Sequence, residues 1–206
     1  MPATIDYYLT CVSPWAYLGH PAILDLAARH GATLDFKPVN LGAMFKVSGQ
    51  VGVADRPLVR QRYRLIELQR HAEARGRKLN LRPAHFPTNP ALADQTVCAI
   101  VADGGDPAAY IDAVLSAVWA DERQIADEAT LAELLSAAGF DAEAVLARAR
   151  QLEIAAIRAR NTEEAIAIDA TGVPCYVLNG EPFWGQDRID LLERALVTGR
   201  PPFKAV

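Results

Sequence analysis

Ser13 opens the stretch Ser13-Pro14-Trp15-Ala16, which follows the apolar run Ile5-Asp6-Tyr7-Tyr8-Leu9 after a short turn. Serine suits a helix cap because its oxygen accepts from the exposed N–H groups of the first turn. Proline suits the first helical position, where its missing N–H has no partner to lose. A strand feeding a helix capped in this way predicts an electropositive pocket containing a hydroxyl, a place for an anion such as a thiolate. A dithiol redox cycle needs Cys-x-x-Cys. With Ser13 and Ala16 in those places the chain cannot run one here. The hydroxyl is instead expected to donate to a thiolate that a ligand brings, and such a bond lowers a thiol pKa. Taken alone, Ser13-Pro14 also reads as a plain helix cap.

Two further stretches bear on the same pocket. Val173-Pro174 stands at the start of an apolar run, where X-Pro suggests a cis peptide bond. The backbone N–H and C=O of Val173 would then be free to pair with an extended peptide. The plainer reading is a proline that simply starts a strand. Trp184-Gly185-Gln186-Asp187-Arg188 opens the last helix. Asp187 reads either as its cap or as a partner for a ligand ammonium, and Trp184 either as core or as a ligand contact.

The elements that must position these residues follow from pattern. Residues 4–9 and 33–39 read as strands joined by a helix over 14–30 that Gly31 ends, a right-handed βαβ unit. Residues 40–56, rich in glycine, read as a long loop, functional or mobile. From Pro57 to about Ala170 the pattern is helical, with a loop over 78–89. A final stretch over 142–169 reads as one helix or two, a break near Asn161-Thr162 being suggested by Thr162-Glu163-Glu164. Residues 172–184 read as a hairpin turned at Asn179-Gly180, before a closing helix over 189–196. Neither β-containing end makes a stable sheet alone. The fold class is therefore α/β, a thioredoxin fold (β-α-β…β-β-α) with a large all-helical insertion. Its ranges are 1–56 and 171–206 for the thioredoxin-like part and 57–170 for the inserted helices.

Composition bounds the function. Of 206 residues, 51% are hydrophobic and 22% charged, ordinary for a globular chain. The net charge of -4 leaves no basic footprint for nucleic acid. No run reaches the roughly 18 to 20 apolar residues of a membrane span, and the first residues show no signal-peptide pattern. The three cysteines, Cys11, Cys98 and Cys175, form no close pair and fit a reducing cytoplasm. Cys11 and Cys175 are expected near each other at one end of the sheet, each a buried inert thiol or, less simply, a regulatory pair. The four histidines show no metal-ligand spacing.

Together, Ser13-Pro14-Trp15 with Tyr17-Leu18, Gly172-Val173-Pro174 and Trp184-Gly185-Gln186-Asp187-Arg188 resemble the 2-hydroxychromene-2-carboxylate isomerase family. That family is related to kappa-class glutathione transferases and to the DsbA branch of the thioredoxin superfamily. The resemblance implies glutathione as cofactor, a homodimer and a small aromatic carboxylate substrate from aromatic hydrocarbon breakdown. By motif, Ser13 faces the glutathione sulfur, Val173 before Pro174 pairs with the glutathione backbone, and Trp184, Gly185, Gln186 and Asp187 hold its γ-glutamyl end. Lys46 falls at a family lysine near the substrate carboxylate, and Phe86 at an aromatic of the substrate pocket. Asp55-Arg56 takes the place of an Asn-Arg pair, and its carboxylate weakens any anion-binding role at Asp55. A flat aromatic anion needs a cation, Lys46 or Arg56, and apolar walls, for which Trp15, Tyr17 and Phe86 are candidates. Two other readings share the fold: a kappa-like glutathione transferase or peroxidase, and a DsbA-like peptide-binding protein without catalysis.

Overall fold

The computed structural model describes residues 2–205. Met1 and Val206, the outer ends of the expected thioredoxin-like ranges, lie outside them. Strands β1 (Thr4–Leu9), β2 (Thr33–Pro38), β3 (Cys175–Leu178) and β4 (Glu181–Trp184) form one sheet in the order β2-β1-β3-β4. β1 runs parallel to β2 and antiparallel to β3, and β3 pairs antiparallel with β4. Helix α1 (Pro14–His30) crosses from β1 to β2, and α9 (Ile189–Thr198) follows β4. This is the thioredoxin order. Between β2 and β3 lie α2 (Leu41–Ser48), α3 (Leu58–Ala74), α4 (Ala91–Ala102), α5 (Ala108–Trp119), α6 (Glu128–Ala137), α7 (Ala142–Ala149) and α8 (Leu152–Ala167). No helix among the described residues is long and apolar enough to cross a membrane.

The alternation of side chains along a strand explains the layers. Ile5, Tyr7 and Leu9 of β1, with Tyr176 and Leu178 of β3, face one way. They join α1 and the helices α4 to α6 in a single large core. Tyr8, Cys175 and Val177 face the other way, onto Met44 of α2 and Ala165 of α8. Asn179 and Gly180 both carry positive φ, 52° and 82°, as a tight hairpin turn requires.

Two expectations change. Residues 40–56 are not a loop throughout: they contain α2 and a 3₁₀ turn, Val53–Asp55. The Asn40 side chain accepts from the Ala43 N–H, and Gly49 closes α2 at φ 71°. Both are ordinary cap signals, masked by the glycines around them. The break in the last helical stretch falls at Arg150 and Gln151, not at Asn161-Thr162. Thr162 is not a cap. Its hydroxyl donates to the Arg158 carbonyl inside α8 and accepts from the Asn40 N–H, which ties α8 to the start of α2.

Candidate functional site

The head of α1 is held from below. The Ser13 N–H donates to the Thr10 carbonyl at 3.0 Å, and Ser13 Oγ accepts from the Ala16 N–H at 3.2 Å. Ser13 is 4% exposed, and its hydroxyl makes no donor bond among the described residues, so its hydrogen is free for a ligand. Beneath it Asp94, fully buried on α4, accepts from the Cys11 N–H at 2.8 Å and from the Thr10 hydroxyl at 2.9 Å. Arg158 of α8 donates to Asp94 at 2.7 Å and to the Val39 carbonyl at 3.1 Å. Burial pushes the Asp94 carboxyl pKa up, against the pull of Arg158. Four distant segments thus meet at the turn that carries Ser13.

Opposite Ser13 lies the cis peptide bond Val173-Pro174. The Val173 N–H and C=O make no hydrogen bond among the described residues, while the Pro174 carbonyl accepts from the Gly185 N–H at 2.8 Å. The Trp184 indole lies against Gly172, where a Cβ would stand 2.9 Å from its nitrogen. Trp184 is 48% exposed, a cavity wall and not core. Gln186 is buried, and Arg75 donates both to its side-chain oxygen at 3.1 Å and to its carbonyl at 3.0 Å. Asp187 is paired with Arg188.

Two adjoining cavities share Trp15, Arg56, Arg64, Val173 and Trp184 as walls. The larger, about 520 Å³, lies between α3 and the Trp184–Arg188 segment. The smaller, about 150 Å³, runs past Ser13 to Phe45 and Phe86. Charge is uneven. Arg56, Arg60, Arg64 and Arg188 face Glu67 and Asp187, and both carboxylates are already bridged, Glu67 to Arg70 at 2.5 Å and Asp187 to Arg188. The region is electropositive and suits an anionic ligand.

The structure brings together Ser13, Trp15, Arg56, Phe86, Val173 and Trp184, and places Gly185, Gln186 and Asp187 along the larger cavity. Other expected residues lie elsewhere. Lys46 is exposed near the end of α2 and lines neither cavity; one residue earlier on the helix, Phe45 points in. Asp55 is exposed and lines neither cavity. Tyr17 is not a wall: it is buried, its hydroxyl donates to the Lys78 carbonyl at 2.6 Å, and Arg77 stacks on its ring at 3.9 Å. Cys11 and Cys175 belong to separate cores on opposite faces of the sheet, so they do not form a pair. All three cysteines are free and buried, and burial raises each thiol pKa, that of Cys175 to about 12.

Sequence reasoning missed the α3 wall. Arg60 and Arg64 stand on it, with Arg56 just before it, at intervals of four residues. That spacing puts them on one helix face, a signal present in the sequence but hidden among other arginines. Burial, and secondarily Arg56, pushes the Arg64 pKa down to about 10.

A thioredoxin fold with serine at the head of α1 and a cis-proline across the cavity from it has no redox pair of its own at that place. The chain belongs to the DSBA-like thioredoxin domain family, whose sequence model matches residues 4–197. Its curated relatives bear the name that the motifs resembled. The 2-hydroxychromene-2-carboxylate isomerase of Sphingobium xenophagum is 28% identical over 199 residues, 96% of this chain and 100% of that one. The enzyme of that name from Pseudomonas putida is 28% identical over 194 residues, 93% of each chain. A solved structure of 2-hydroxychromene-2-carboxylate isomerase matches with TM-score 0.80 at 27% identity, over 95% of each chain.

Proposed function

We propose that the protein is a glutathione-dependent isomerase that converts 2-hydroxychromene-2-carboxylate, or a related aromatic degradation intermediate, to trans-o-hydroxybenzylidenepyruvate or its counterpart. The observation that carries this reading is the Ser13 hydroxyl, its hydrogen free, across one cavity from the unpaired Val173 backbone. The relatives' shared name supports the reaction class.

The residues fit glutathione. Val173 offers one N–H and one C=O to a peptide-like edge, and Arg60 and Arg188, which line the larger cavity and not the smaller, offer cations to its two carboxylates. Asp187, which lines the larger cavity and is paired with Arg188 alone among the described residues, can share its charge with the ligand ammonium. Gln186 accepts from Arg75 through its side-chain oxygen and its carbonyl, which holds the segment in shape, and its side-chain N–H groups, with no acceptor among the described residues, are left for the γ-glutamyl end.

When bound, glutathione would supply a thiolate able to add to the conjugated carbon of the ring-opened hemiketal and to leave again, which makes the double bond single and free to rotate before it reforms. Ser13 donates to that sulfur and, with the α1 N-terminus, favours its charged form. Phe45, Phe86 and Trp15 form the apolar walls for the flat substrate. An arginine facing the smaller cavity stabilises the negative charge that develops on the substrate. The reading carries with it a cytoplasmic homodimer; the three buried free thiols support a reducing compartment, and sedimentation equilibrium tests the dimer.

The test is to mix pure protein with 2-hydroxychromene-2-carboxylate, with and without glutathione, and follow the ultraviolet spectrum. Glutathione-dependent conversion with no net loss of glutathione is expected. Consumption of glutathione into a stable conjugate would replace this reading with the transferase.

A further inference from the structure

The cation for the substrate carboxylate is open once Lys46 is found outside the cavities. Four arginines remain. Arg188 is paired with Asp187 and lines only the larger cavity. Arg60 is exposed and lines only the larger cavity. Arg56 faces both, but its Nε donates to the Val51 carbonyl at 3.0 Å. Arg64 also faces both and is half-buried, yet its guanidinium makes no hydrogen bond or ion pair among the described residues. It rests instead on two rings, 5.9 Å from the centroids of Phe86 and of Trp119. Those rings are themselves 4.9 Å apart, and the Trp119 indole N–H donates to the Val12 carbonyl beside Ser13.

A desolvated cation without a counter-charge is costly and is normally paired. Five guanidinium donors in a fixed fork match a carboxylate in two-point fashion. The two rings beside it limit where that fork can go, so less freedom is lost when an anion arrives. Phe86 also lines the smaller cavity, so an aromatic ring seated there lies beside the fork.

We infer that Arg64 is the residue by which the smaller cavity selects flat aromatic substrates that carry a carboxylate, with Phe86 as the adjoining wall. This rests on the isomerase reading for the identity of the substrate, but the binding preference is testable without turnover.

The probes are trans-cinnamate and its neutral amide, titrated calorimetrically into the whole protein with and without glutathione. The natural sequence is expected to bind cinnamate about ten- to a hundredfold more tightly than cinnamamide, as a charged hydrogen-bonded contact implies. Arg64→Met should abolish that preference by weakening cinnamate alone, with glutathione affinity unchanged, and Arg64→Lys should restore part of it. Arg56→Met should keep it. Circular dichroism and thermal midpoints of each variant check that the fold is retained. A preference that survives Arg64→Met, that disappears with Arg56→Met instead, or that is absent from the natural sequence overturns the inference. So does displacement of cinnamate by glutathione, which would give Arg64 to the glutathione site. An intact, Arg64-dependent cinnamate preference in a protein that does not isomerise would uphold Arg64 and reject the reaction.

Discussion

Arg158 and Arg64 carry the same charge into two partly buried regions and meet opposite surroundings. Under the Ser13 turn, Arg158 finds Asp94 and the Val39 carbonyl. On the α3 wall, Arg64 finds two aromatic rings and open cavity. The first region has its charge matched and is built to hold a shape. The second has its charge unmatched and is built to receive something. Partner count, and not residue type, separates scaffold from site here.

The largest expected effect tests the scaffold half. Arg158→Met leaves Asp94 buried without its cation and should cost about 3–5 kcal/mol in urea unfolding. Arg64→Met should change stability by no more than about 0.5 kcal/mol, because no hydrogen bond or ion pair among the described residues is lost and the Met side chain keeps apolar contact with Phe86 and Trp119. Equal destabilisation by the two variants would break the comparison.

Next comes the hydroxyl that the scaffold presents. Ser13→Ala removes a hydrogen bond to a charged sulfur, worth about 1.5–3 kcal/mol. It should raise the pKa of bound glutathione, read from thiolate absorbance, and slow turnover about ten- to a hundredfold. Unchanged kinetics from pH 6 to 9 would remove Ser13 from the mechanism.

Close packing gives a smaller effect. A Cβ on Gly19 would lie 2.6 Å from Gln186 Cβ and 2.9 Å from the Tyr176 hydroxyl. Gly19→Ala should cost about 1–3 kcal/mol and weaken glutathione binding by moving the Gln186 segment. Calorimetry of the variant checks both.

The smallest effect concerns a matched pair near the surface. Glu181 accepts from Arg200 at 2.7 Å through each oxygen and from the Phe203 N–H at 2.9 Å. Arg200 holds its carboxyl pKa below the usual glutamate value. Because the folded pKa is the lower one, the pair adds stability above the ordinary value of about 4.3, and that stability is lost as pH falls through the lowered one. Glu181→Gln should therefore lower the thermal midpoint at pH 7 and leave it little changed at pH 3.

Much of this architecture was legible in the chain. The Ser13 cap, the Pro14 start, the Gly31 stop, the Asn179-Gly180 turn and the Val173-Pro174 step each follow from chemistry within a few residues, and the structure has them all. The motif residues on the two sides of the cavity were legible as well. Less readable were Lys46 and Phe45: adjacent on α2, they differ by one helical step of about 100°. Which of them faces the cavity depends on how α2 sits on α8. Tyr17 misled in the same way, since an aromatic near the site can equally be core.

What the sequence by itself determined is the succession of strands, helices and turns, with the absence of a Cys-x-x-Cys pair at residues 13–16, because those depend on local conformation and composition. Only the tertiary structure decided which charges are matched. Asp94 and Arg158 are 64 residues apart, Arg75 and Gln186 are 111, and Arg64 is defined by the partner it lacks. Desolvation and pairing are properties of a packed environment, and no window of sequence contains them.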